Sequence, residues 1–301
     1  MLLRLLRNRN LILVMALILG MVFGQAADWT EGLTLPVMAL IMTVSTAQVS
    51  TRAFLPLRKM MRPMFMAVIF TYLVLGTVML ALAGWLMPNR ELWIGFVVVA
   101  AAPPGVAIIP FTRILEGDTA FSLVGTVGGY LAAMVILPLM LLIFIGESFL
   151  QPLELLIIMG ELIVIPLVLS RLLRLIGLTN HVEKWRGTIV NWGFFLVVFT
   201  VVGLNREVFL EQPQVIGLAS AVAAVSIFVL GSLMELALKR LQVERTIGIS
   251  LTLMGTVKNS GAAAAIALTL FGEEASIPAA VVSAFNVLYL IYLGLRAERK
   301  R

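Results

Sequence analysis

Apolar residues run along this chain in blocks of roughly 20, each closed by a short polar segment, and the blocks lack the alternation of barrel strands. About 20 apolar residues wound as a helix cross the hydrocarbon core of a bilayer. The blocks predict ten helical spans, at 10–29, 33–49, 64–86, 91–116, 119–145, 150–172, 187–204, 213–238, 246–271 and 276–295. An all-α integral membrane fold follows, because a lipid-exposed segment must satisfy its own backbone polar groups. The first 29 residues also fit a cleaved signal peptide, with arginines, an apolar stretch and small residues near FGQAA. Removing them would leave nine spans and break the symmetry described below, so they are read as a helix.

The polar segments fix an orientation. With the N-terminus inside, 19 of the 22 lysines and arginines lie in inside segments and two, Arg90 and Arg206, lie outside. That asymmetry is the positive-inside pattern, and it supports an even number of spans with both ends cytoplasmic, in a bacterial inner membrane. The basic residues are accounted for by the membrane surface, and no nucleic acid or obligate protein partner is called for. The remaining cation, Lys258, sits in the middle of the ninth span.

Composition narrows the chemistry. Apolar residues make up 61% of the 301, charged residues 13%, and the mean hydropathy is +1.06. The chain has no cysteine and one histidine, His181, which excludes disulfides, thiolate chemistry and a histidine-built metal site. His181 is expected to be solvated in an inside loop. No GxSxG, HExxH or GxxxxGK[ST] occurs and no intramembrane aspartates pair, so an enzyme is not expected and no cofactor is implied. A nontransporting membrane sensor is the remaining alternative class, although no soluble domain would carry its signal onward.

An internal repeat appears at a shift of 155 residues. ILEGDTAFS (Ile114 to Ser122) lies against TLFGEEASI (Thr269 to Ile277), and PPG (Pro103 to Gly105) falls on KNS (Lys258 to Ser260). Residues 1–146 and 150–297 then form two five-span repeats within one transporter unit, 1–301. An odd number of spans makes the halves enter the membrane in opposite directions. Inverted repeats with interrupted helices at matching places are a secondary-transporter architecture. Pro103 and Pro104 lack amide protons and Gly105 lets the chain turn, so carbonyls near 100–102 lose their helical partners. Each new half-helix beyond a break offers free amides and a positive dipole end suited to an anion.

AAPPGVAIIPFTRILEGDTAFSLVGT (Ala101 to Thr126) and ERTIGISLTLMGTVKNSGAAAAIALTLF (Glu244 to Phe271) resemble conserved-looking segments of the bile acid:sodium symporter family. The resemblance implies a core of helices 3 to 5 and 8 to 10, with broken helices 4 and 9 crossing, and a panel of helices 1, 2, 6 and 7. Substrate would bind between core and panel. It places the candidate substrate site at Pro104, Gly105, Val106, Lys258, Asn259 and Ser260. Ser122, Thr126 and Asn259 match family sodium ligands, whereas three other donor positions carry Ile108, Ile109 and Met254, and a glutamine position carries Lys258.

A lysine at the centre of a span costs about 2.5 to 3.5 kcal/mol on insertion scales, so it should face a cavity or a partner. Either its ammonium replaces the charge of a sodium ion, or it binds and releases a proton in each cycle. Glu161, the other acid deep in a span, would neutralise Lys258, carry protons, or make a local bond within the panel. The expected function is secondary active transport of a small or amphipathic organic anion, with sodium or proton as coupling ion and Ser122, Thr126, Lys258 and Glu161 as coupling residues. The alternative is a conventional sodium-coupled symporter of bile acid or pantoate-like anions. Asp118 and Glu273 read as helix starts, and Glu235 with Lys239, four apart, as a surface pair.

Overall fold

The computed structural model describes residues 9–47, 57–105, 107–146, 157–158 and 160–298. Among these residues all regular structure is helical, apart from one antiparallel bridge between Pro104 and Lys258. The helices are α1 (Arg9–Val22), α2 (Thr34–Thr46), α3 (Leu57–Val68, π-wound over Ile69–Gly76, then Thr77–Leu86), α4 (Arg90–Ala101), α5 (Ile108–Ile114) and α6 (Thr119–Ile145). The second half contains α7 (Gly160–Val164, π-wound, then Ile165–Leu175), α8 (Thr179–Leu204), α9 (Pro213–Ala224, π-wound over Val225–Val229, then Leu230–Arg240), α10 (Arg245–Met254), α11 (Ser260–Phe271) and α12 (Glu273–Glu298). Among the described residues five helices are long and apolar enough to cross a membrane: Met60–Leu86, Thr119–Ile145, His181–Leu204, Pro213–Arg240 and Glu273–Ala297.

The predicted fourth span is divided into α4 and α5, and the ninth into α10 and α11. Three expectations shift, and the start of the predicted sixth span, 150–156, lies outside the described residues. The first span ends as an α-helix at Val22 rather than 29, followed by a 3-10 turn over Gly24–Ala26. The third span begins at Leu57 rather than 64, because the basic turn LRKMMR stays helical with Met60 buried and Met61 and Arg62 exposed. The seventh begins at Thr179, so His181 lies in a helical turn rather than a loop, exposed as expected, and the Arg186–Glu183 pair at 2.8 Å supports that turn.

Local signals set the starts. The Asn89 side chain accepts from the Leu92 amide at 3.0 Å, Asp118 from the Phe121 amide at 2.9 Å and Asn259 from the Ala262 amide at 3.2 Å, each capping the helix that follows. Glu273 opens α12. Helices α1, α2, α7 and α8 pack on one another, while α3 to α6 and α9 to α12 form a second group. The two groups meet where α2 and α8 lie on α11 and α8 lies on α12. This is a core and a panel, divided as the resemblance implies. Within the core Gly129 of α6 receives the Pro104 ring, leaving no room for a Cβ.

Candidate functional site

The site begins with a defect in α4. Ala102 leaves the helix with φ −60° and ψ 151°, and Pro103 and Pro104 have no amide to give. In a continuing helix the Ala100 carbonyl would bond to the residue four ahead, which is Pro104. The second break, between Met254 and Ser260, runs alongside the first. The Gly105 amide donates to the Val257 carbonyl and the Asn259 amide to the Pro103 carbonyl, both at 2.9 Å. Each extended stretch gives one N–H and takes one, so the backbone opened by each break is satisfied by the other. Beyond the crossing, the Asp118 amide donates to the Thr246 carbonyl at 3.0 Å and Ser250 Oγ to the Asp118 carbonyl at 3.0 Å.

Lys258 is 2% exposed. Its Nζ donates to the Ala100 carbonyl at 2.6 Å and the Ala102 carbonyl at 2.9 Å, and lies 4.4 Å from the Tyr72 ring centroid. The ammonium therefore takes the carbonyl that Pro104 orphans and a neighbouring one, at the negative dipole end of α4, with an aromatic face against the remaining charge. Tyr72 is held in turn by its hydroxyl, which donates to the Gly129 carbonyl at 2.8 Å. The sequence showed that a charge lay at the crossing; the structure shows that it points at backbone.

Asn259 is also committed. Beyond its capping bond, its Nδ2 donates to Tyr130 Oη at 3.1 Å and contacts Met42 Sδ at 3.3 Å, and Met42 belongs to α2. Asn286 of α12 went unnoticed in the sequence. Its Nδ2 donates to the Lys258 carbonyl at 3.2 Å and to Ser260 Oγ at 3.4 Å, while its Oδ1 is buried without a partner among the described residues. A lone amide inside the apolar run VVSAFNVLYLIYLG was the available signal. Gly105, Lys258, Ser260, Ser283 and Asn286 border a cavity of about 30 Å³, with Phe194 of α8 also in its wall, room for a water molecule or two.

Thus Pro104, Gly105, Lys258, Asn259 and Ser260 come together at the crossing, and Val106 lies outside the described residues. Ser122 and Thr126 form a separate group. Ser122 Oγ shares a 2.7 Å hydrogen bond with Thr112 Oγ1, which also donates to the Ile108 carbonyl at 2.8 Å. Thr126 Oγ1 is buried without a partner among the described residues. Ile108 and Met254 are wholly buried, and the Met254 methyl fills the space over Gly125. The Met254 carbonyl accepts from Thr71 Oγ1 at 2.9 Å. A sodium ion wants several oxygens; here Ile108 and Met254 present hydrocarbon, Ser122 Oγ is engaged by Thr112 and the Met254 carbonyl by Thr71, which leaves the Thr126 hydroxyl as the unengaged oxygen of the group. Glu161 lies half-buried on the π-wound start of α7, which packs on α2, and no ion pair among the described residues joins it to Lys258.

The sequence profile of the SBF-like CPA transporter family matches residues 10–292. No curated protein matches the chain significantly.

Proposed function

Because the chain belongs to the SBF-like CPA transporter family and is a membrane transporter, we propose that it is a secondary active transporter of a small or amphipathic organic anion, in which the Lys258 ammonium stands in for a bound cation. One observation carries this reading: a buried ammonium bonded to two carbonyls at the meeting of two broken helices. Its fixed positive charge and the N-terminal end of α11, beginning at Ser260, make the crossing attractive to an anion. The anion would sit by Gly105, Asn259 and Ser260, with the Asn286 oxygen left to orient a donor on it or a water. Two opposed repeats, 1–146 and 150–297, would rock as core against panel to expose the site to either side in turn. Both termini would be cytoplasmic, in a bacterial inner membrane.

Lys258 already gives two of its three N–H groups to backbone, so the ammonium acts through its field more than through direct contact. Uptake of a panel of labelled organic anions into proteoliposomes, with and without a sodium gradient, tests the proposal. Wild-type uptake is expected to be indifferent to sodium, and Lys258→Gln is expected to lose uptake unless a cation is supplied. Strong sodium dependence of the wild type would sink the surrogate role. The unpartnered Thr126 hydroxyl favours a second reading, sodium-coupled symport of bile acid or pantoate-like anions, and that same result would establish it. A coupling role for Glu161 predicts that Glu161→Gln abolishes or uncouples uptake; unchanged uptake retires it.

A further inference from the structure

A second cavity lies among the basic ends of the core helices and takes no part in the crossing. Its volume is about 440 Å³, within the range of sites for small molecules. Three helices line it, each with one face repeated at helical spacing. α10 contributes Arg245, Gly248, Ile249 and Thr252, α9 contributes Glu235, Leu238 and Lys239, and α12 contributes Leu293 and Arg296. Leu238, Leu253 and Leu293 are buried in its wall, whereas Lys239 and Arg245 are exposed at its mouth.

Charge at the mouth is unbalanced. The sequence suggests a Glu235–Lys239 pair, but Glu235 instead binds Arg296 across helices, with Arg296 Nη1 donating to Oε2 at 2.7 Å. The i,i+4 spacing permits the first pair; the packed third helix provides a guanidinium in better position. Arg245 meets Glu116 only at 3.9 Å, with its side chain 74% exposed. Lys239 makes no ion pair among the described residues. Three cations of the lining therefore meet one carboxylate within it and Glu116 beside it, which leaves the mouth net positive.

Two further observations point to an occupant. Thr252, 3% exposed, lines the cavity, and its Oγ1 has no hydrogen-bond partner among the described residues. A buried hydroxyl without a partner loses its hydration for nothing in return. Above Gly248 a Cβ would meet nothing within 4 Å, so α10 leaves its wall open there. Leu236 and Leu295 on the same helices, and Leu241 just past α9, are exposed, as side chains facing acyl chains would be.

We propose that this cavity binds a membrane lipid with an anionic headgroup. The headgroup would lie against Lys239 and Arg245, its chain along Leu238, Ile249 and Leu293, and an ester oxygen would accept the Thr252 hydroxyl. Basic pockets between spanning helices favour anionic headgroups in this way. The site stands whether or not the crossing transports as proposed.

The test titrates the purified full chain with phosphatidylglycerol and with phosphatidylcholine and counts retained lipid by native mass spectrometry. Wild type is expected to hold one phosphatidylglycerol at least tenfold more tightly than phosphatidylcholine. Gly248→Leu fills the cavity and keeps every charge; K239Q/R245Q changes two exposed side chains and keeps the cavity. Both should abolish the preference, while Gly248→Ala, too small to fill the space, retains it. Equal retention of the two lipids, or an unchanged preference in K239Q/R245Q, overturns the proposal. So does displacement by free glycerol phosphate at concentrations matching the lipid, which would reveal a site for soluble anions.

Discussion

Replacing Lys258 by methionine tests the crossing most directly. The substitution deletes two hydrogen bonds to carbonyls, at 2.6 and 2.9 Å, and a ring contact at 4.4 Å. Hydrogen bonds to a charged donor contribute about 1.5 to 3 kcal/mol each. A desolvated cation over an aromatic face adds about 2 kcal/mol. Against these stands the cost of burying the charge, about 2.5 to 3.5 kcal/mol. The balance favours the lysine by about 2 to 5 kcal/mol, and methionine should destabilise the protein by that amount, since it offers the two carbonyls no donor. Thermal or denaturant unfolding of the purified protein in detergent reads the loss, and vesicle uptake reads the accompanying fall in transport. An unchanged unfolding midpoint with unchanged uptake would refute the account, because it would mean that the ammonium neither holds the break together nor sets its field.

Three further outcomes are expected. Gly129→Val places a side chain where the Pro104 ring sits and should cost about 1 to 3 kcal/mol by overpacking, with a fall in uptake larger than the fall in folded protein on detergent gel filtration. Asn286→Ala removes the donor to the Lys258 carbonyl and Ser260, and should cost about 1 to 3 kcal/mol in the unfolding assay and lower uptake at limiting substrate. With no native cysteine to interfere, Glu207→Cys and Arg240→Cys should be labelled by an impermeant maleimide from opposite sides of the membrane; labelling from one side rejects the proposed topology.

The two breaks were legible because proline and a central lysine are hard to place in a lipid-facing helix, and the shift of 155 residues put one against the other. Where the Lys258 side chain goes was not legible, since its partners at Ala100 and Ala102 lie more than 150 residues away and are chosen by the crossing itself. The cap at Asp118 could be read from spacing, as could the core and panel from the family likeness. Asn286 was passed over because one amide in an apolar run gives no pattern. The π-wound stretches at Ile69–Gly76, Gly160–Val164 and Val225–Val229 carry no proline and share no sequence signal from which they could have been read. The Glu235–Arg296 pair shows the same limit, as a neighbouring helix overrode a local spacing that looked sufficient.

The ammonium between Ala100 and Ala102 has an electrical consequence. A carrier that borrows its cation from solution can release it before returning empty, whereas one whose cation is covalently attached must bring the charge back. If the crossing carries a monovalent anion as proposed, its loaded form would be neutral and its empty form would carry a full charge. Membrane voltage, worth about 2.3 kcal/mol per charge per 100 mV across the full field, then acts on the empty return stroke rather than on the loaded one. Potential would govern how often the carrier resets, and the anion gradient would govern which way each load travels.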